Sequence, residues 1–380
     1  MALFEKVLVK PMDARAEYCG VLCEGQAKSR LMVNETFWRL AWAEGVGACI
    51  WHALNVKRDA FNSEMFRTYI EQPLRAQTAH ALILKQANFS MLQRMRKSGI
   101  PCITLRGQSL AETMYDPPAS RPQTDMDLLI REEDIPAAKQ VVVQSGFEPV
   151  EHHPLLFLRD GVLLDLHADP LDMERIHAWA HITPLRTQDF FDHAEQGERA
   201  GVPVLLVHPR VNLPYLCFHA MKHSFERLIW LWDIALLARK VQEQHQWDTV
   251  LEGILEYRLE RPCFYALSYV HAHLGAPVPE HLLEKTRPRM DWRERALFSR
   301  FIHHESIPFL AERLFARMMP DFRHRLTFWR ETIIPREEVR RQIAGEGCVQ
   351  CQFIRKRLKQ LAKALWMLAR ETWAMLRLPG

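Results

Sequence analysis

The rhythm of apolar and polar positions changes twice along the chain. Up to about residue 98, apolar side chains recur every three or four residues, as in "ETFWRLAWAEGVGACIWHALNV" and "AFNSEMFRTYIEQPLRAQTAHALILKQANFSMLQRMRKSG". That spacing lays one apolar stripe along a helix. In the second stretch Leu82, Leu84, Phe89, Leu92 and Met95 are expected to form the stripe, with Lys85, Arg94 and Lys97 outside it and Gly99 ending the helix. The aromatic residues of this region are expected in its core.

After Gly99 the pattern shortens. "IPCITLRG" reads as a strand entering a glycine turn, "SLAETMY" as a short helix with Ser109 near its start, and "DPPASRP" as a loop, because its prolines suit neither element. "TDMDLLI" is expected to be a strand on which Asp125 and Asp127 share a face, since side chains alternate with a period of two. "REEDIPAAKQVVVQSGF" predicts a helix capped by Asp134, with Pro136 in its first turn and Gly146 as its stop. Two strands then flank an Asp160-Gly161 turn in "FEPVEHHPLLFLRDGVLLDLHADP".

Beyond Pro170 the period becomes helical again, with helices between 241 and 345 expected to break at Pro262, Pro277, Pro279, Pro308 and Pro320. The fold class this implies is α+β, a small mixed sheet between two helical regions. The expected divisions are a helical region at 1–98, a core at 99–205, a helical domain at 206–345 and a basic amphipathic helix at 346–380. Ile354, Leu358, Leu361, Leu365 and Leu368 form the seam of that last helix, flanked by Arg355, Lys356, Lys359 and Lys363.

Composition narrows the class. With 380 residues, 48% hydrophobic and 25% charged, the chain reads as an ordinary globular protein. It contains no run of about eighteen apolar residues, and its first twenty residues lack the uninterrupted core of a secretory signal, so the expected place is the cytoplasm. Eight cysteines in such a length do not read as a disulfide framework. Cys348 and Cys351 make a lone CxxC without the second pair a zinc site needs. The formal charge of +4 is uneven: from Lys285 onward the balance is +11, and before it −7. A basic C-terminal third suits an anionic partner, a membrane surface or a solvated face.

The chemistry lies between Ile100 and Asp169. Aspartates at i and i+2 on one strand, joined by Asp165 from a neighbouring strand, make a cluster that divalent cations would neutralise. A glycine turn brings backbone N–H groups close to phosphate oxygens, and the Ser109 hydroxyl adds a donor. The same residues also fit plainer roles: an acidic strand edge for Asp125 and Asp127, and a core or hydrogen-bonding role for His167. Asp165, His167 and Asp169 also recur at period two, which suits a hydrolase metal site. Further on, His219, Lys222 and His223 recur at helical spacings, fitting either a triphosphate-binding stripe or bundle packing.

Gly107-x-Ser109 followed by Asp125-x-Asp127 resembles the glycine-serine and DxD signature of polymerase-β-like nucleotidyltransferases. More narrowly, "LRGQSLAETMYDPPASRPQTDMDLLI", "VLLDLHAD" and "CFHAMKHSFERLIWLWDIALLAR" resemble blocks of nucleotidyltransferase family 5, over roughly residues 100 to 240. The resemblance implies a nucleotidyl transfer from an NTP, with Mg2+ or Mn2+ held by Asp125, Asp127 and Asp165. It implies phosphate contacts for Gly107 and Ser109, with Arg106, Arg121 and Lys222 reaching the nucleotide. The chain departs from the pattern in two places: Gln108 separates the glycine from the hydroxyl, and about eighteen residues lie between the turn and the acidic pair. The acceptor, whether a protein, a small molecule or an RNA end, is not named by the resemblance. A catalytically silent binding module on the same fold is the reading from a different class, and nucleic-acid binding through the basic third is another.

Overall fold

The computed structural model describes residues 12–24, 35–54 and 63–340, apart from 174, 175, 200, 306, 335 and 338. The 346–380 helix and the Cys348/Cys351 pair therefore lie outside the described residues. Helices α1 (Met12–Glu24), α2 (Glu35–Ala43) and α3 (Gly47–Leu54) come first. The short α4 (Ser63–Phe66) passes through a π turn into the long α5 (Gln72–Lys97). The sheet region then runs β1 (Cys102–Thr104), α6 (Gly107–Met114), β2 (Asp125–Ile130), α7 (Ile135–Gln144), β3 (Glu148–Val150), β4 (His153–Arg159), β5 (Val162–His167), α8 (Thr187–Asp192), β6 (Ala194–Arg199) and β7 (Val202–Val207). After it come α9 (Pro209–Lys222), α10 (Leu228–Glu243), α11 (Trp247–Glu256), α12 (Glu260–Leu274), α13 (Glu280–Thr286), α14 (Trp292–Ile302), α15 (Leu310–Met318) and α16 (Phe322–Ile333).

The seven strands form one mixed sheet in the order β3-β4-β5-β2-β1-β7-β6, so the fold is α+β as expected. β2 pairs in parallel with β5 and antiparallel with β1. Alternation assigns each strand two faces. Met126, Leu128 and Ile130 with Leu164 and Leu166 meet Leu84, Met91, Met95 and Val142 of α5 and α7. Leu129 and Ile103 turn the other way, into the larger core built by α9, α10 and α12. The acidic positions share that second face. The helices before residue 98 divide between the two layers: aromatic residues of α2, such as Trp38, join the larger core, whereas α5 covers the sheet.

Several local expectations need correction. Leu82 is 60% exposed, because it sits two residues from Leu84 and so about 200° around the helix from the inward row. Asp134 stands at the N-cap of α7 but makes no capping bond. Its own backbone is helical, at φ −88 and ψ −10, continuing a 3-10 turn, so its carboxylate lacks the extended geometry a cap requires. Pro262 sits in the first turn of α12, where its missing N–H is harmless; the break falls before Glu260. The β6–β7 hairpin lies in a stretch read as helical. By contrast, the Asp160-Gly161 turn forms as expected, both residues having positive φ (50 and 78) as a type I′ hairpin needs.

Candidate active site

Parallel pairing places Asp127 opposite Asp165 and Leu129 opposite His167. Strand alternation then puts Asp127, Asp165 and His167 on one face, and each offers a ligand atom within 4.8 Å of the others. Asp127 is buried, whereas the Asp165 side chain is 36% exposed, so the cluster opens to solvent on the β5 side. Asp125, one pleat earlier on β2, is half-buried, accepts the Thr124 hydroxyl at 3.0 Å and stands outside that close group.

Arg106 occupies the turn between β1 and α6 at φ 42 and ψ −119, a conformation that favours glycine. Such a residue costs on the order of 1–3 kcal/mol and persists only when its surroundings hold it. Here they do: Nη2 lies 2.9 Å from Asp127 Oδ1, and Nη1 lies 2.7 Å from His219 Nδ1. His167 reaches the same Asp127 Oδ1 through Nε2 at 2.9 Å. Its Nδ1 is 3.5 Å from Asp172, which in turn is paired with Lys222.

The electrostatics follow from this crowding. Burial alone would lower the His167 pKa, but hydrogen bonds to Asp127 and Asp172 and the surrounding carboxylates push it up to about 10. Burial opposes ionisation of Asp127, yet Arg106 and His167 bring it down to about 2. Asp165 is pushed up to about 6, by burial and by the charges of Asp127, Asp172 and Asp125, despite His167. Asp125 is also raised, by burial and by Asp127. His219 is held well below its usual range by burial and by Arg106, which leaves its Nδ1 free to accept.

These contacts decide what can hold a cation. The two ring nitrogens of His167 face Asp127 and Asp172, so the ring bridges the carboxylates of β2 and of the loop after β5. Both nitrogen partners of Asp127, Arg106 Nη2 and His167 Nε2, engage the same oxygen, Oδ1. Asp127, Asp165 and His167 are the close group that could hold an ion, and Asp125 adds a carboxylate one pleat away.

The other expected residues fall into two groups. Gly107 and Ser109 occupy the first and third positions of α6, and a Cβ built on Gly107 meets nothing closer than 3.8 Å. Gln108 turns away to Glu112 at 2.8 Å, itself paired with Lys85 of α5. Arg121 and Lys222 are each paired with a carboxylate. The Arg121 guanidinium grips both oxygens of Asp233 on α10, at 2.9 and 2.8 Å. Lys222 pairs with Asp172 and lies over the Trp179 ring. Asp169 accepts the backbone N–H of Leu171 at 3.0 Å, so it closes a turn instead of extending the row of Asp165 and His167. Asp172 escaped the sequence reading, because it lies in an aperiodic loop at positive φ.

Beyond the strand ends a cavity of about 660 Å³ opens, lined by Arg131, Glu132, Asp169, Met173, Arg186 and Thr187 among others. Its lining residues Ala168 and Asp169 directly follow His167, so the cavity lies just past the C-terminal end of β5.

No helix among the described residues is long and apolar enough to cross a membrane. No curated protein matches the chain. The solution structure of the antibiotic-resistance factor ANT(2'')-Ia aligns at 14% identity over 50% of this chain and 98% of that one, with a TM-score of 0.30, a likeness on which nothing further rests. The model of a family described as an uncharacterised nucleotidyltransferase matches residues 33–275, well over half of the sequence, and the chain belongs to that nucleotidyltransferase family.

Proposed function

We propose that the protein moves a nucleotidyl group from an NTP to an acceptor hydroxyl or similar nucleophile, with Mg2+ or Mn2+ held by Asp127, Asp165 and Asp125. The observation that carries this reading is the pairing of Asp127 with Asp165 across two parallel strands, beside a helix that begins at Gly107. A divalent cation supplies charge neutralisation for the triphosphate and acidifies an attacking hydroxyl. The first-turn N–H groups of Gly107, Gln108 and Ser109 have no partner inside α6, and with the Ser109 hydroxyl they take a phosphate. Arg106 adds positive charge at the same corner. Arg121 and Lys222 serve the site indirectly, the first by tying the loop before β2 to α10, the second through Asp172. Asp165, the more exposed member of the facing pair, is the one an acceptor entering from solvent would meet first.

Calorimetric titration with ATP, in Mg2+ and then in chelator, tests the reading. The parent protein is expected to bind only with the metal. Asp127→Asn is expected to lower transfer of labelled nucleotide to lysate acceptors by about a thousandfold, the equivalent of the several kcal/mol a catalytic metal supplies. Metal-independent behaviour of the parent would point instead to a binding module on this fold.

A further inference from the structure

Two arms run from helix α9 to a single oxygen atom. His219 holds Arg106 Nη1 at 2.7 Å, and Arg106 Nη2 meets Asp127 Oδ1 at 2.9 Å. One turn later on the same helix Lys222 pairs with Asp172, which stands 3.5 Å from His167 Nδ1, and His167 Nε2 meets Asp127 Oδ1 at 2.9 Å. Residues three apart on a helix share a face, so the two arms leave α9 side by side and close on Asp127 from both flanks.

We infer that α9 is a brace for the metal-facing carboxylate. His219 and Asp172 are positioning residues that fix the Asp127 rotamer, so that Oδ1 is taken by protein donors and Oδ2 is presented to the cation. The inference rests on the transferase reading of the site and adds a task for residues that do not touch the substrate. A carboxylate with two χ angles and four lone-pair sites has several ways to face a cation. Two cationic donors converging on one oxygen leave it one. Near its N-terminus α9 packs closely on α11. Pro214 of α9 cannot donate to the Arg210 carbonyl, and Gly253 of α11 packs directly against that carbonyl.

Partners of this kind typically change metal affinity by ten- to a hundredfold when removed. The test is Mn2+ binding to the full chain, read by electron paramagnetic resonance with no nucleotide present, followed by ATP titration with Mn2+. His219→Leu and the paired change Asp172→Asn/Lys222→Gln, which removes both charges of the second arm together, are each expected to weaken Mn2+ binding about tenfold. His219→Gln keeps an acceptor for Arg106 and is expected to recover most of the loss. Glu294→Gln, which breaks the distant buried pair with Arg261, serves as the control: it should lower the melting temperature and leave Mn2+ affinity unchanged. Equal affinity in parent and arm variants overturns the brace, and so does an equal loss in the control. Failure of the parent itself to bind Mn2+ overturns the transferase reading and the brace with it, and is told apart by occurring before any substitution.

Discussion

Two buried arginine–aspartate pairs lie on either side of the loop that leads into β2, and they are built to opposite ends. In the pair of Arg121 and Asp233 the guanidinium fork meets both carboxylate oxygens, and the Tyr115 hydroxyl adds a third bond to Asp233 at 2.5 Å. In the pair of Arg106 and Asp127, the guanidinium and His167 crowd onto one oxygen, while Asp165 and Asp125 remain with proton affinities above the usual carboxylate range. The first pair is saturated and has nothing left to offer a ligand. The second is short of positive charge on one side only, the side open to solvent. A satisfied buried pair holds structure, and an unbalanced one has room for a cation.

The largest effect is expected at the saturated pair. Asp233→Asn leaves Arg121, which is 6% exposed, without its counter-charge. Removing one member of such a buried pair typically costs about 3–5 kcal/mol. Urea denaturation should therefore show a large drop in midpoint at constant slope. Asp127→Asn should cost less, since Asp165, Asp172 and Asp125 still surround Arg106 and His167. Equal losses at the two positions would erase the distinction between the pairs.

The next effect separates the pairs through packing. An alanine at Gly253 would place its Cβ 2.2 Å from the Arg210 carbonyl oxygen, so α9 and α11 must move apart. Overpacking of this kind costs about 1–3 kcal/mol. Helix α9 supplies His219 and Lys222 to the acidic cluster and no partner to the Arg121–Asp233 fork. Gly253→Ala should then lower both stability and Mn2+ affinity. A loss of stability alone would show that the acidic cluster does not depend on where α9 sits.

Much of the acidic face was legible in sequence because it obeys local rules. Asp125-x-Asp127 before Leu-Leu-Ile fixes a face by alternation, and Asp160-Gly161 fixes the hairpin that brings up Asp165. The saturated pair was not legible, because Arg121 and Asp233 are joined across 112 positions of sequence and neither carries a periodic signal of its partner. Arg106 gave its charge away but not its strained turn, since no glycine stands there to announce positive φ. Strand β6, "AEQGER", is an edge strand with almost no apolar residues, so the pattern that reveals buried strands was missing.

The smallest effect tests the imbalance directly. Asp165 is pushed up to about 6, roughly two units above an unperturbed aspartate near 3.9. Two units correspond to about 3 kcal/mol, but the side chain is 36% exposed and water screens it, so about 1 kcal/mol is the reasonable scale. The folded protein binds this proton more tightly than the unfolded chain does. Its contribution to stability therefore falls as pH rises from about 4 through 6 and is flat above that. In chelator, Asp165→Asn should be more stable than the parent by about 1 kcal/mol at pH 6.5, with the gap closing toward pH 4.5. Urea midpoints for both proteins at the two pH values measure it. A stabilised but inactive variant would mean that this carboxylate is kept at a cost to the fold. A destabilised one would mean that Asp165 is as well matched as Asp233, and the contrast between the two pairs would lose its physical basis.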